Sequence, residues 1–189
     1  MKWSILIPTT ESRREMTTVL VNILTDQISV NKLYGEVEII YLYDNGEKSI
    51  GKKRNELLEV ASGEYLCFFD SDDLPSSNYI KLLMEGINKG VDCCSLRGVI
   101  TWDGDNPEIF EHSVKYNAWK TNDTGYIKYE RFLNHLNVVK SSIAKQIKFP
   151  EVNHGEDRSW SEKLFESGLI KTEHFIDEVL YHYNYITNK

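Results

Sequence analysis

Tyr65-Leu66-Cys67-Phe68-Phe69-Asp70-Ser71-Asp72-Asp73-Leu74-Pro75 runs through five apolar residues in succession and then three carboxylates within four positions. A solid apolar run of this length, with no polar alternation, reads as a strand buried on both faces. Carboxylates so close together repel one another, and a hard divalent cation such as Mg2+ or Mn2+ relieves that repulsion by taking oxygen ligands. Capping of the next helix, expected from Ser76 to Asn88 and ended by Gly90, accounts for one of the three, and Asp73 is assigned that role. It does not account for Asp70, which closes an otherwise apolar strand.

Outward from this segment the first half of the chain alternates strands and helices. Trp3 to Ile7 and Val37 to Tyr43 are further β-rich runs, ended by Pro8 and by the turn Asp44-Asn45-Gly46. Met16, Val19, Leu20, Ile23 and Leu24 fall on one helix face, with Ser12 as the expected N-cap. A helix from Ser49 to Ala61 buries Leu57, Leu58 and Ala61 and stops at Gly63; a further strand follows at Val91 to Leu96. Apolar strands joined by helices predict a mainly parallel sheet covered on both faces, with ligands beyond the carboxyl ends of its strands. Those ends are Pro8-Thr9, Asp44 and Asp70. From Gly98 to Arg131 the residues are polar and aromatic with little periodicity and read as strands and long loops. Helices near Ser141 to Ile147 and Arg158 to Ser167, then a strand at Val179 to Tyr185, complete the chain.

The 189 residues suit one domain, residues 1–189, read in two halves, 1–97 and 98–189. A net charge of −7 argues against a broad nucleic-acid surface. Cys67, Cys93 and Cys94 lie in apolar runs and read as free buried thiols in a reducing compartment. With no membrane span and no signal peptide, the expected location is a cytoplasm, bacterial or that of a phage or virus host.

The motifs resemble glycosyltransferase family 2, the inverting enzymes of the GT-A fold (an α/β, Rossmann-like nucleotide-diphospho-sugar transferase). The resemblance rests on Ile5-Leu6-Ile7-Pro8-Thr9, Asp44, Gly51, Arg54-Asn55, Ala61-Ser62-Gly63-Glu64-Tyr65 and Asp70-Ser71-Asp72-Asp73, in family order. It implies a nucleotide-sugar donor, with UDP as the nucleotide, a nucleotide-binding half over residues 1–97 and an acceptor and base half over 98–189, nucleic acid entering only as a possible acceptor. Pro8, Thr9, Asp44, Arg54, Asn55, Asp70 and Ser71 fall on the donor side, and Asp44 falls where the family binds the nucleobase. It also implies Mn2+ (or Mg2+) held directly by Asp72, with Asp70 on the ribose or a metal-bound water, and with His182 completing the metal site. One departure is Asn45-Gly46-Glu47, where the family often carries another Asp and a Gly-Ser. Lys52, Lys53 and Arg54 read as a solvated helix face from which one member could reach a pyrophosphate.

Inversion needs one base to take the acceptor's proton. The resemblance assigns it to Asp157 in His154-Gly155-Glu156-Asp157-Arg158, with Glu156 contacting acceptor or sugar. His135 is a candidate for the acceptor side or for a turn. Trp102, Trp119 and Tyr126 fall where the acceptor site varies, and the acceptor class stays open among a glycan, a protein and a modified nucleic-acid base. Two other readings of the carboxylates are an Asp-dependent phosphohydrolase and a degenerate nucleotide- or glycan-binding domain. A phosphohydrolase of that kind expects Thr or Val where Leu74 stands.

Overall fold

In the computed structural model, which describes residues 1–186, the first strand, β1 (Trp3–Pro8), is buried along its whole length. It lies in parallel register between β2 (Val37–Leu42) and β3 (Tyr65–Phe68). Successive side chains leave a strand on opposite faces. Trp3, Ile5 and Ile7 therefore enter one core with Tyr65, Cys67 and Phe69, while Leu6 enters a second with Leu66 and Phe68. Helices α1 (Arg14–Val30) and α3 (Tyr79–Ile87) close the first core; α2 (Ile50–Val60), α4 (Ser141–Ala144) and α5 (Glu156–Ser167) close the second. Strands β1 and β3, covered on both faces, have no solvent side, which explains their solid apolar composition, while β2 at the sheet edge is only half-buried.

Among the described residues the sheet has ten strands. The others are β4 (Leu74–Pro75), β5 (Cys93–Trp102), β6 (Asp105–His112), β7 (Lys120–Thr121), β8 (Ile127–Arg131), β9 (Val138–Lys140) and β10 (Glu173–Tyr185). Its mainly parallel centre is interrupted by β9, which runs antiparallel between β3 and β5, while β10 runs parallel to β5. A strand running against its neighbours begins where they end. The turn Asn134-His135-Leu136-Asn137 before β9 thus arrives at the exit of β3, where the Phe68 N–H donates to the His135 carbonyl at 2.9 Å. The two halves read from the sequence interleave here: β5 crosses the boundary at residue 97, and β9 of the second half sits inside the sheet of the first.

Helix α5 is fixed by Trp160, which is fully buried, stacks on Phe149 at 5.1 Å and donates its indole N–H to the Ile147 carbonyl at 3.1 Å. Its start is set by Gly155, whose φ of 77° lies in the left-handed region that a Cβ penalises. On the other side α2 approaches the same segment so closely that a Cβ on Gly51 would fall 1.8 Å from the Pro150 carbonyl oxygen.

Several expectations are corrected. The buried face of α1 is Thr17, Leu20, Leu24 and Ile28, whereas Met16 and Val19 are exposed. Thr17 takes the inward place because its hydroxyl bonds Thr9 and the Arg13 carbonyl. Ser12 does not cap α1; it lies in a 3-10 turn, Glu11–Arg13, that precedes the helix. Asp73 caps nothing, and α3 begins beyond it without any side-chain cap. Gly63 allows close packing rather than stopping α2, since a Cβ there would meet the Ser4 nitrogen at 2.6 Å. Ser49 does cap α2, accepting from the Lys52 N–H at 3.3 Å. Among the described residues no helix is long and apolar enough to cross a membrane, and all three cysteines are buried and free. Burial pushes the Cys67 and Cys94 thiols up to about 12.

Candidate active site

The carboxyl ends of β1, β2 and β3 carry Thr9, Asp44 and Asp70, as the topology of parallel strands requires. Lys53 and Arg54 reach them from α2. Neither is solvated: each is 2% exposed, which corrects their reading as a surface run, while Lys52 does face solvent. A charge this deep must be paired. Lys53 Nζ donates to Asp44 Oδ1 and to the Thr9 carbonyl, both at 2.7 Å. Asp44 also accepts from the Lys48 N–H at 2.8 Å. Its carboxyl is therefore held below the usual carboxylate range; burial raises it, and the Lys53 and backbone bonds outweigh that.

Arg54 Nη2 donates to Asp70 Oδ1 at 2.9 Å, and its Nε lies 3.4 Å from Glu156 Oε1. Burial raises Asp70, but Arg54 and His135 together hold it well below the usual range. Glu156 is raised instead, because its burial exceeds the relief that Arg54 supplies. Glu156 is thus a buried partner of Arg54 rather than the expected sugar contact. Asn55 also leaves the donor side. Its amide accepts from the Phe149 N–H and donates to the Phe149 carbonyl, each at 2.9 Å, so both of its polar ends are used in anchoring the segment that leads to α5.

Asp72 lies beyond the strand end, where Arg13 Nη1 donates to its Oδ1 at 3.1 Å. Asp73 is buried and accepts the Tyr181 hydroxyl at 2.6 Å, and Tyr181 in turn accepts the Asp70 N–H at 3.2 Å. Burial, with Asp70 close by, pushes Asp73 well above the usual carboxylate range. Pro8 and Ser71 are both buried. Among the described residues no three His, Cys, Asp or Glu side chains converge on a metal-binding point. His182 in particular lies exposed in β10, in register with Leu74, while its neighbours Tyr181 and Tyr183 line the cleft below. The three-ligand set Asp70, Asp72 and His182 is therefore not drawn together, because strand alternation turns His182 to the other face. Asp70 and Asp72 remain as oxygen donors with side chains 31% and 14% exposed. That donor set fits a hard divalent ion completed by substrate phosphates, which needs only one or two carboxylates.

A cleft of about 420 Å3 opens beside Asp70. Asp157, at the start of α5, faces it, as do Trp102, Trp119, Tyr183 and Tyr185. Tyr126 does not; it is 66% exposed and covers Arg97. The turn before β9 joins the two carboxylates. His135 Nε2 lies 3.2 Å from Asp70 Oδ2, its Nδ1 lies 2.6 Å from Asn134 Oδ1, and Asn134 Nδ2 reaches Asp157 Oδ2 at 3.5 Å. Asn137 braces this turn by accepting the Asn134 N–H at 2.9 Å and facing His112 at 3.0 Å. Burial lowers His112 to about 4, leaving it a neutral partner. Asn134 and Asn137 carried no sequence signal beyond a polar turn before an apolar run; the antiparallel course of β9 gives them their place.

The sequence profile described as "Glycosyl transferase family 2" matches residues 20–144, about two thirds of the chain. The chain belongs to glycosyl transferase family 2. That match gives no support to the phosphohydrolase reading. No curated protein matches the sequence. Among solved structures, S. aureus TarS 1-349 matches with a TM-score of 0.67 at 20% identity, covering 97% of this chain and 60% of that one. Its complex with UDP-GlcNAc gives 0.68 at 20% identity, covering 100% and 60%, and its complex with UDP gives 0.67 at 19%. At this identity the likeness establishes the GT-A fold. The chain spans 60% of the length of those TarS chains.

Proposed function

We propose that this family 2 domain transfers a sugar from a UDP-sugar to an acceptor hydroxyl with inversion, using Asp157 as the base and Mn2+ or Mg2+ at Asp70 and Asp72. The observation that carries the reading is one cleft holding Asp157 and Asp70, joined through Asn134 and His135. The UDP and UDP-GlcNAc complexes of TarS support the donor class. Bound at the two carboxylates, the cation would neutralise charge on the departing diphosphate. Thr9 and Asp44 form the nucleoside end of the site, with Lys53 fixing the Asp44 carboxylate. Arg54 locks Asp70 in its ionised form. Asp157 accepts the proton of the attacking hydroxyl; a third of its side chain is exposed to the cleft, so an acceptor can reach it. Trp102, Trp119, Tyr183 and Tyr185 offer flat apolar faces to sugar rings, which favours a glycan acceptor over a protein or a modified base. The free buried thiols suit a reducing compartment, and we place the chain in a cytoplasm.

Calorimetric titration of UDP with and without Mn2+, on the native chain and on Asp72→Asn, tests the donor site. Binding that needs the metal and fails in the variant supports the reading. UDP binding of equal strength without metal would remove the cation from it, and no UDP binding at all would reject the donor.

A further inference from the structure

Arg13 and Arg14 open the 17-residue helix α1, where the positive end of the helix dipole disfavours cations. Each is tolerated because it has its own carboxylate. Arg14 is paired by Glu11 three residues before it, at 2.6 Å. Arg13 takes an acid 59 positions away, Asp72, at 3.1 Å. Glu11 and Asp72 thus offset the two guanidiniums at the positive end of the helix dipole, with Asp72 as the anion that Arg13 holds. Asp72 is also the carboxylate assigned to a divalent cation above, and a guanidinium and a divalent cation on one carboxylate repel each other strongly. Arg13 is partly exposed in a 3-10 turn and has room to leave.

We propose that Arg13 is the resident counter-cation of Asp72, and that donor binding exchanges it: Asp72 turns to the divalent ion while Arg13 transfers its charge to the nucleoside diphosphate. The inference rests on the metal reading of Asp72. Metal alone then binds weakly, because it must displace Arg13 with nothing to receive the guanidinium. Metal and diphosphate together bind well, because the diphosphate takes it.

The test is Mn2+ affinity without nucleotide, followed by the electron paramagnetic resonance of the free ion, on the native chain, Arg13→Ala, Arg13→Lys and Asp72→Asn, with melting temperatures to confirm folding. Arg13→Ala is expected to bind Mn2+ about fivefold more tightly, the equivalent of about 1 kcal/mol for a partly exposed ion pair. The same variant is expected to bind UDP, titrated by calorimetry at saturating Mn2+, about tenfold more weakly. Arg13→Lys should fall between the native chain and Arg13→Ala on both readouts. These opposite signs are the signature, since a merely structural role would weaken both. Arg13→Ala equal to the native chain on both readouts, with Mn2+ lost only in Asp72→Asn, overturns the exchange while leaving the metal site standing. Absence of Mn2+ binding in every protein, with or without UDP, overturns the metal reading and the exchange with it.

Discussion

Replacing Arg54 by Met keeps the length of the side chain and removes its charge from between Asp70 and Glu156. Breaking a buried ion pair by deleting one partner typically costs about 3–5 kcal/mol, because the other charge is left uncompensated. Two features put this site at the lower end. Arg54 Nε and Nη1 are buried without hydrogen-bond partners, so Met relieves a desolvation cost that the native chain carries. Asp70 is partly exposed and keeps His135. We therefore expect a loss of about 3 kcal/mol at pH 7.5, or roughly 6–12 °C in melting temperature for a chain of this size. The pH dependence separates charge from packing. Glu156 is raised above its unfolded value already, so its ionised form costs stability and that cost is recovered as pH falls. Without Arg54 it rises further, and the variant should regain stability relative to the native chain between pH 7.5 and pH 5. Asp70 has a depressed value in the fold; its contribution is present above its unfolded value, near 3.9, and is lost only below that window. Thermal melts of both proteins at the two pH values measure this. A variant melting within about 2 °C of the native chain at pH 7.5, or one whose deficit is the same at pH 5, would refute the charge argument.

Asp157→Asn should lower transfer by about 10²–10⁴-fold while leaving UDP affinity in place, since the base contributes to the chemical step and not to the donor. Proportional loss of both would make Asp157 structural. Asn55→Ala leaves the Phe149 N–H and carbonyl buried without partners, a cost of about 2–4 kcal/mol by urea unfolding; an unchanged midpoint would refute the clamp. For His135→Asn, which cannot span from Asn134 to Asp70, kcat should fall about 10-fold or more with the KM for the donor little altered. A rise in KM alone would place His135 in donor binding instead.

Much of the fold was legible because β1 and β3 are buried on both faces, so Trp3–Ile7 and Tyr65–Phe69 announce themselves as apolar runs. The helix face of α1 was not: Met16 and Val19 match the period as well as Leu24 does, and only the Thr9–Thr17 hydroxyl contact decides which stripe turns inward. Strand β10 reads as Val179 to Tyr185 but begins at Glu173, because Glu173, His174, Asp177 and Glu178 break the apolar run and only pairing with β5, with Ile176 in the core, extends the strand. In the site, the carboxylates were readable and their partners were not. Lys53 and Arg54 look like any basic helix run until strand ends supply Asp44 and Asp70. Asn55 looks like a ligand until the Phe149 backbone, 94 positions away, takes both its ends.

The arrangement explains how one short chain keeps five acidic side chains, Asp70, Asp72, Asp73, Glu156 and Asp157, around a single corner. Each has a different remedy for its charge. Arg54 pairs Asp70, which His135 also contacts, Arg13 covers Asp72, the Tyr181 hydroxyl donates to Asp73, and Glu156 shares Arg54. Asp157 is the most loosely held, with His135 Nδ1 at 3.9 Å and the Asn134 amide at 3.5 Å. A carboxylate strongly bound to a cation makes a poor base, since the bond that holds its charge also lowers its affinity for a proton. Under the proposed function Asp157, the most loosely held of the five, is the base that takes the proton of the attacking hydroxyl, and it stands where α5 opens onto the cleft. On that reading, the inequality among the five carboxylates, set by β9 running against its neighbours and by α2 packing on the Pro150 segment, divides the corner into a donor side and a base side.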